Sequence, residues 1–218
     1  MKSIKPAKHQ RLLKRAFALL GMTFLLTVAT MPSHAIEEPT YSVVQKTEQF
    51  EVRQYAPYLV AEVVVPGPAN EAGSQGFKLL GGYIFGKNKG ERKLEMTAPV
   101  TQQAAPPIKL EMTAPVTQAA TPGGFLVQFV MPQGYTLATL PEPLDTSVKL
   151  REVPGGRVAV IRFSGTWSQS TYEEQLQKLR SALAAAGMAT QGEPVSSRYN
   201  SPFSLPFLRR NEIWLSLL

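Results

Sequence analysis

Arg53-Gln-Tyr-Ala-Pro-Tyr-Leu-Val60-Ala61-Glu-Val-Val-Val-Pro-Gly67 has a counterpart 98 residues later, Arg151-Glu-Val-Pro-Gly-Gly-Arg-Val158-Ala159-Val-Ile-Arg-Phe-Ser-Gly165. Arg, Val, Ala and Gly recur at that one offset. Both stretches read as extended chain rich in β-branched residues and closed by a glycine turn, and both lead into a segment of helical period. The repetition predicts two structurally similar halves.

The helix after the first stretch is expected from Asn70 to Tyr83, with Ala72, Phe77, Leu80 and Ile84 near one face. Glycines at 73, 76, 81 and 82 each weaken it by about 1 kcal/mol relative to alanine, but would let something flat approach its backbone closely. The second helix is expected from Thr166 to Gly187. Ser168 or Ser170 can cap it, Glu173 and Glu174 favour its first turn, Leu176, Leu179 and Leu183 share a face, and Gly187 ends it.

Further strands are read at Tyr41 to Thr47, Phe50 to Tyr55, Phe125 to Met131, Glu193 to Asn200 and Glu212 to Leu217. Lys149 to Val153 and Arg157 to Phe163 read as a strand pair about Pro154-Gly155-Gly156, and Gln133 to Val148 as irregular chain. The expected class is α+β: a distorted antiparallel β-barrel or sheet with two helices, built from pseudo-twofold β-β-α halves that border an apolar cleft. Inserted into the first half is a second duplication, Lys93-Leu-Glu-Met-Thr-Ala-Pro-Val-Thr-Gln102, repeated from Lys109 to Gln118. The two copies, joined by Gln103-Ala-Ala-Pro-Pro-Ile108, predict a β-hairpin with Pro99 and Pro115 at bulges or edges.

Residues 1–35 are different in kind. Six Lys and Arg open them, Ala16 to Ala29 is almost wholly apolar, and Ser33-His34-Ala35 supplies small residues for cleavage. This predicts a secretory signal peptide removed near Ala35, leaving a single domain over 36–218 in the periplasm or outside the cell. The apolar run is short of the roughly 20 residues that span a bilayer, so no stable membrane insertion is expected after cleavage. All 16 acidic residues lie beyond Ala35, where seventeen Lys and Arg remain, a formal +1. No basic stripe stands out, and no nucleic-acid partner is expected. Both histidines, His9 and His34, fall within the leader, and the chain has no cysteine. A thiol nucleophile, a Ser-His-Asp triad and a zinc site of imidazole and thiolate are all excluded from residues 36–218, and so is disulfide stapling.

Phe50-Glu-Val-Arg-Gln-Tyr, Gly82-Tyr-Ile-Phe-Gly-Lys-Asn, the two Met-Thr-Ala-Pro-Val segments, Phe129-Val-Met-Pro-Gln-Gly-Tyr135, Val158-Ala-Val-Ile-Arg-Phe-Ser-Gly165 and Arg209-Arg-Asn-Glu-Ile-Trp214 occur in this order. Together they resemble the SOUL haem-binding protein family across nearly all of 36–218. The resemblance implies a non-enzymatic barrel protein that holds haem or another tetrapyrrole in a shallow apolar groove along the first helix. By position, Phe77, Leu80, Gly81 and Tyr83 would face that groove from the helix, with Tyr199 and Phe203 opposite. Gly82 and Leu205 stand where the family's propionate-binding lysines align, and the histidine proposed as axial ligand in some members has no counterpart.

Other residues carry two readings each. Met96 or Met112 could ligate iron or fill the core. Tyr199 could do the same as phenolate, or be a buried tyrosine with a bonded hydroxyl, like Tyr55 and Tyr58. Arg209 and Arg210 could receive propionates or pin the last strand. Glu95 and Glu111 are spaced like a carboxylate pair, but solvent-facing strand positions explain them more simply. The function expected is carriage or buffering of haem; the alternative is a binding module for another hydrophobic small molecule or a protein partner in the same cleft.

Overall fold

The structure is a computed structural model that describes residues 37–90, 109–200 and 204–218. Its strands are β1 (Tyr41–Lys46), β2 (Glu51–Tyr55), β3 (Tyr58–Val65), β4 (Val116–Thr121), β5 (Gly124–Val130), β6 (Lys149–Val153), β7 (Gly156–Phe163), β8 (Thr190–Arg198) and β9 (Asn211–Leu217), with helices α1 (Ala69–Ile84) and α2 (Gln169–Ala185). All ladders in the sheet are antiparallel, in the order β1-β2-β7-β9-β8-β4-β5-β3-β6.

The two stretches of the 98-residue repeat pair with each other. Arg53 lies opposite Val158 and Val60 opposite Arg151; Val52 faces Ala159 and Ala61 faces Leu150. One register therefore runs through β2·β7 and β3·β6, a single long ribbon bent at Ala56-Pro57 and Pro154-Gly155. Pro57 and Pro154 have no N–H to donate and stand where the ladder is interrupted. Gly155 has no substitute at the bend, because a Cβ there would lie 2.5 Å from the Tyr55 carbonyl oxygen. β6 and β7 are thus not the strand pair expected about Gly155 but successive segments of one strand. Since β2 continues into β3, the ribbon carries the strand order back on itself, and the sheet curls into a distorted barrel.

The halves are β2-β3-α1-β4-β5 and β6-β7-α2-β8-β9, joined by the ribbon and by β4·β8. Gly67 and Gly165 turn each half from strand towards helix with φ of 105° and 108°, left-handed geometry that glycine adopts without cost.

Period-two alternation splits the core in three. Ala61, Val63, Val65, Val127 and Phe129 meet Ala72, Leu80, Tyr83 and Ile84 beneath α1. Ala159, Ile161, Ile213 and Leu215 meet Leu179 and Leu183 beneath α2. The inward face of the barrel carries Tyr55, Val160, Tyr199 and Trp214. Ser168 caps α2, its hydroxyl accepting from Thr171 N at 3.1 Å, and Gly187 closes that helix with φ of 67°. Glu173 and Glu174 fall beyond its first turn, because the helix begins at Gln169. Ser168→Ala should lower the unfolding free energy by about 1 kcal/mol, read as an earlier urea midpoint with unchanged slope.

The first copy of the decapeptide lies outside the described residues. In the second, Leu110 is buried in the α1 core and the Thr113 hydroxyl donates to the Val130 carbonyl. Val116 to Ala119 bond β5 on one edge and β8 on the other. With both edges taken, no third strand can join there, and the hairpin partner expected for that segment is replaced by β5 and β8. Met112 is 51% exposed and so does not fill the core. Among the described residues, no helix is long and apolar enough to cross a membrane.

Candidate functional site

Two places gather polar chemistry. The first is the barrel interior, where the carboxylate of Glu212 on β9 is wholly buried. It accepts from Arg53 Nη1 and Nη2 at 2.9 and 3.1 Å, from the Tyr199 hydroxyl at 2.7 Å, from Trp214 Nε1 at 2.9 Å and from Arg210 Nε at 2.9 Å. Arg53 also donates to Glu51, lies 4.6 Å from the Tyr41 ring centroid, and is itself buried.

Burial alone would raise the Glu212 pKa, but hydrogen bonds and charge from Arg53, with Trp214 and Arg210, hold it below the usual carboxylate range. Burial, and after it the Glu212 charge, push the Tyr199 phenol far above its ordinary value. Five donors exhaust the acceptor sites of one carboxylate, so Glu212 has none left for a substrate. The cluster is a structural tie between β2, β9 and the loop after β8. Arg210 also bonds Glu38, and its role is to pin the last strand. A tyrosine whose proton is held by a buried carboxylate is no phenolate ligand, so of the two readings of Tyr199 the bonded, buried one holds.

The second place is a groove between α1 and the helix-side face of β4, β5 and β8. On β8 and just beyond it, Ser196, Arg198 and Asn200 border the groove, while Val195 and Tyr199 pack inside the barrel. Val116, Gln118 and Val127 form its floor, and Gly73, Ser74 and Phe77 its helical wall. Phe77 is half-buried, its ring edge-on to Phe129 at 5.3 Å between centroids. The groove holds about 190 Å³. A neighbouring cleft of about 280 Å³, between the first residues of the two helices and lined by Phe125, Trp167 and Tyr172, shares Gln118 and Ser196 with it. The two together reach the size of ordinary small-molecule sites.

A Cβ at Gly76 would lie 2.6 Å from Val127 Cβ, and one at Gly73 2.8 Å from Gln118 Oε1. These glycines bring the helix down onto the sheet, so the close approach expected of a flat ligand is at Gly76 made by Val127.

The six residues expected at the site divide. Phe77 lines the groove. Leu80 and Tyr83 are 0% and 1% exposed in the α1 core, with the Tyr83 hydroxyl donating to Pro141 O at 2.9 Å, and Gly81 is buried. Tyr199 belongs to the barrel interior, and Phe203 lies outside the described residues. Sequence reasoning missed Val116, Gln118 and Arg198, whose alternation on β4 and β8 was the available signal.

A larger cleft of about 440 Å³ lies at the ribbon bend, between Pro57-Leu59 and Met131-Leu137. Glu37, Glu38 and Glu152 line it, which disfavours an anionic ligand there. Among the described residues no group of three or more His, Cys, Asp or Glu could hold a metal ion.

The family model described as SOUL heme-binding protein matches residues 36–216. Heme-binding protein 2 of Homo sapiens is 29% identical over 189 residues, covering 84% of this chain and 87% of that one. Heme-binding protein 1 of Mus musculus is 33% identical over 75 residues, 34% of this chain and 40% of its own. Among solved structures, the EcmrR C-terminal domain aligns with a TM-score of 0.52 at 12% identity, over 78% of this chain and 97% of that one. A protein titled a hydrolase from Listeria innocua aligns with a TM-score of 0.52 at 10% identity, over 80% of this chain and 94% of that one. At such identities these two structures show a shared fold alone.

Proposed function

The chain belongs to the SOUL haem-binding protein family, and from that premise we propose that it binds haem, or a closely related tetrapyrrole, in the groove beside α1 and acts as an exported carrier or buffer without catalysis. The observation that carries this is the make-up of the groove. Phe77, Val116 and Val127 offer an apolar surface, and among the described lining residues Arg198 is the one that is charged. Such a surface suits a flat apolar ring with acidic substituents.

The donor set also defines the mode of binding. The described residues contain no histidine or cysteine, the Tyr199 oxygen is committed to Glu212, and Met112 is not among the described residues that line the groove. Haem, when bound, supplies an iron centre; this chain's residues hold the ring by its faces and edges. Such binding is reversible and weaker than ligation would make it, which suits transfer of the ligand. The leader at residues 1–35 would place this activity in the periplasm or beyond.

Haem titration followed in the Soret band tests the proposal. The purified protein should show a saturable shift, and Phe77→Asp, with its fold checked by circular dichroism, should weaken binding roughly 10- to 100-fold through loss of about 1.5–3 kcal/mol of apolar contact. No saturable shift would reject haem as the ligand. An unchanged affinity in Phe77→Asp would reject the groove.

A further inference from the structure

Arg198 is half-buried at the end of β8, and among the described residues it has neither a carboxylate nor a hydrogen-bond acceptor. Among the described residues its side chain meets the face of Trp167, with the guanidinium carbon 4.7 Å from the ring centroid. Other arginines of the barrel are treated differently: Arg53, Arg151 and Arg210 each meet a glutamate within 3.0 Å. A guanidinium carries five N–H donors, and holding it partly out of water without an acceptor is unfavourable. Burial and the neighbouring charge of Arg209 already pull its pKa below the usual arginine value.

The guanidinium lies over the Trp167 ring where the groove meets the adjoining cleft, and Ser74 and Asn200 border the groove beside it. Among the described residues that line the two spaces, the acidic one is Glu193, which lies in the adjoining cleft and disfavours an anion there. We propose that Arg198 is the anion-recognition residue of the groove and takes a ligand carboxylate in the bidentate geometry of an arginine–carboxylate pair. This rests on the groove reading above. It makes the ligand amphipathic, with its ring on Phe77 and an acidic arm turned towards β8, and it gives the chain a cation for that arm at a position other than Gly82 and Leu205.

The test uses protoporphyrin IX and its dimethyl ester, which share a ring and differ in their carboxylates, titrated by porphyrin fluorescence against the unaltered protein, Arg198→Gln and Phe77→Asp. The unaltered protein should prefer the free acid by about tenfold. Arg198→Gln should lose that preference, binding acid and ester alike at the level of the ester on the unaltered protein. Equal binding of acid and ester by the unaltered protein, or an undiminished preference in Arg198→Gln, would overturn the role of Arg198 while a loss in Phe77→Asp kept the groove. If none of the substitutions changes either affinity, the groove reading itself fails. The comparison of acid with ester on the unaltered protein stands even if Arg198→Gln folds poorly.

Discussion

Glu212→Ala is expected to lower the unfolding free energy by about 3–5 kcal/mol, a large fraction of the 5–15 kcal/mol typical of a single domain. The substitution removes the acceptor of five hydrogen bonds and leaves the buried Arg53 guanidinium without its principal counter-charge. Urea unfolding followed by circular dichroism measures the loss directly. A shift under about 1 kcal/mol would mean that the cluster tolerates an unpaired arginine, against the expectation for a buried ion pair.

The same carboxylate sets a pH dependence. Its pKa in the folded protein is depressed, so the unfolded chain takes up the proton first as the solution is acidified. The stabilisation is therefore complete above the ordinary carboxylate range and is lost as pH falls towards and through the folded value. Glu212→Gln, which cannot ionise, should show a flatter acid limb than the parent.

Leu80→Ala should cost about 2–5 kcal/mol, the second large effect. Leu80 is fully buried between α1 and the strands beneath it, where Gly76 lets Val127 approach the helix closely and leaves little room to collapse into a void. It separates stability from binding on one helix. Phe77, one turn away, lines the groove, and its replacement should act mainly on ligand affinity. If Leu80→Ala instead left the unfolding midpoint unchanged while abolishing haem binding, the two residues would have to exchange roles.

Much of this architecture was legible in the chain. The offset of Arg53, Val60, Ala61 and Gly67 from Arg151, Val158, Ala159 and Gly165 marked two halves, because equivalent strands need the same alternation and the same left-handed turn. It did not reveal that the halves pair with each other, since pairing is a long-range choice among several apolar strands. Period-two signals say which face is buried, not against what. The same limit explains the decapeptide: two identical extended segments close in sequence predicted a hairpin, yet β5 and β8 compete for the edges of Val116 to Ala119 and take them.

The site was harder to read. Helical period put Leu80 and Phe77 near one face, and composition does not say which residues of that face pack and which meet a ligand. Only the depth of α1 on the sheet, set by Gly73 and Gly76, separates them. Glu212 looked like one member of an Arg-Arg-Asn-Glu run, and its buried role depends on Arg53, 159 residues away. Alternation on β8 marked the face that Arg198 occupies but not its role, since a lone arginine at a strand end is usually solvated.

The most direct test of the central claim is a backbone amide chemical-shift map of the protein titrated with a diamagnetic gallium protoporphyrin. Binding in the groove predicts perturbations concentrated at Gly73 to Phe77, Val116 to Gln118 and Ser196 to Asn200. Perturbations centred instead on Pro57 to Leu59 and Met131 to Leu137, at the ribbon bend, would contradict the assignment of the ligand to α1.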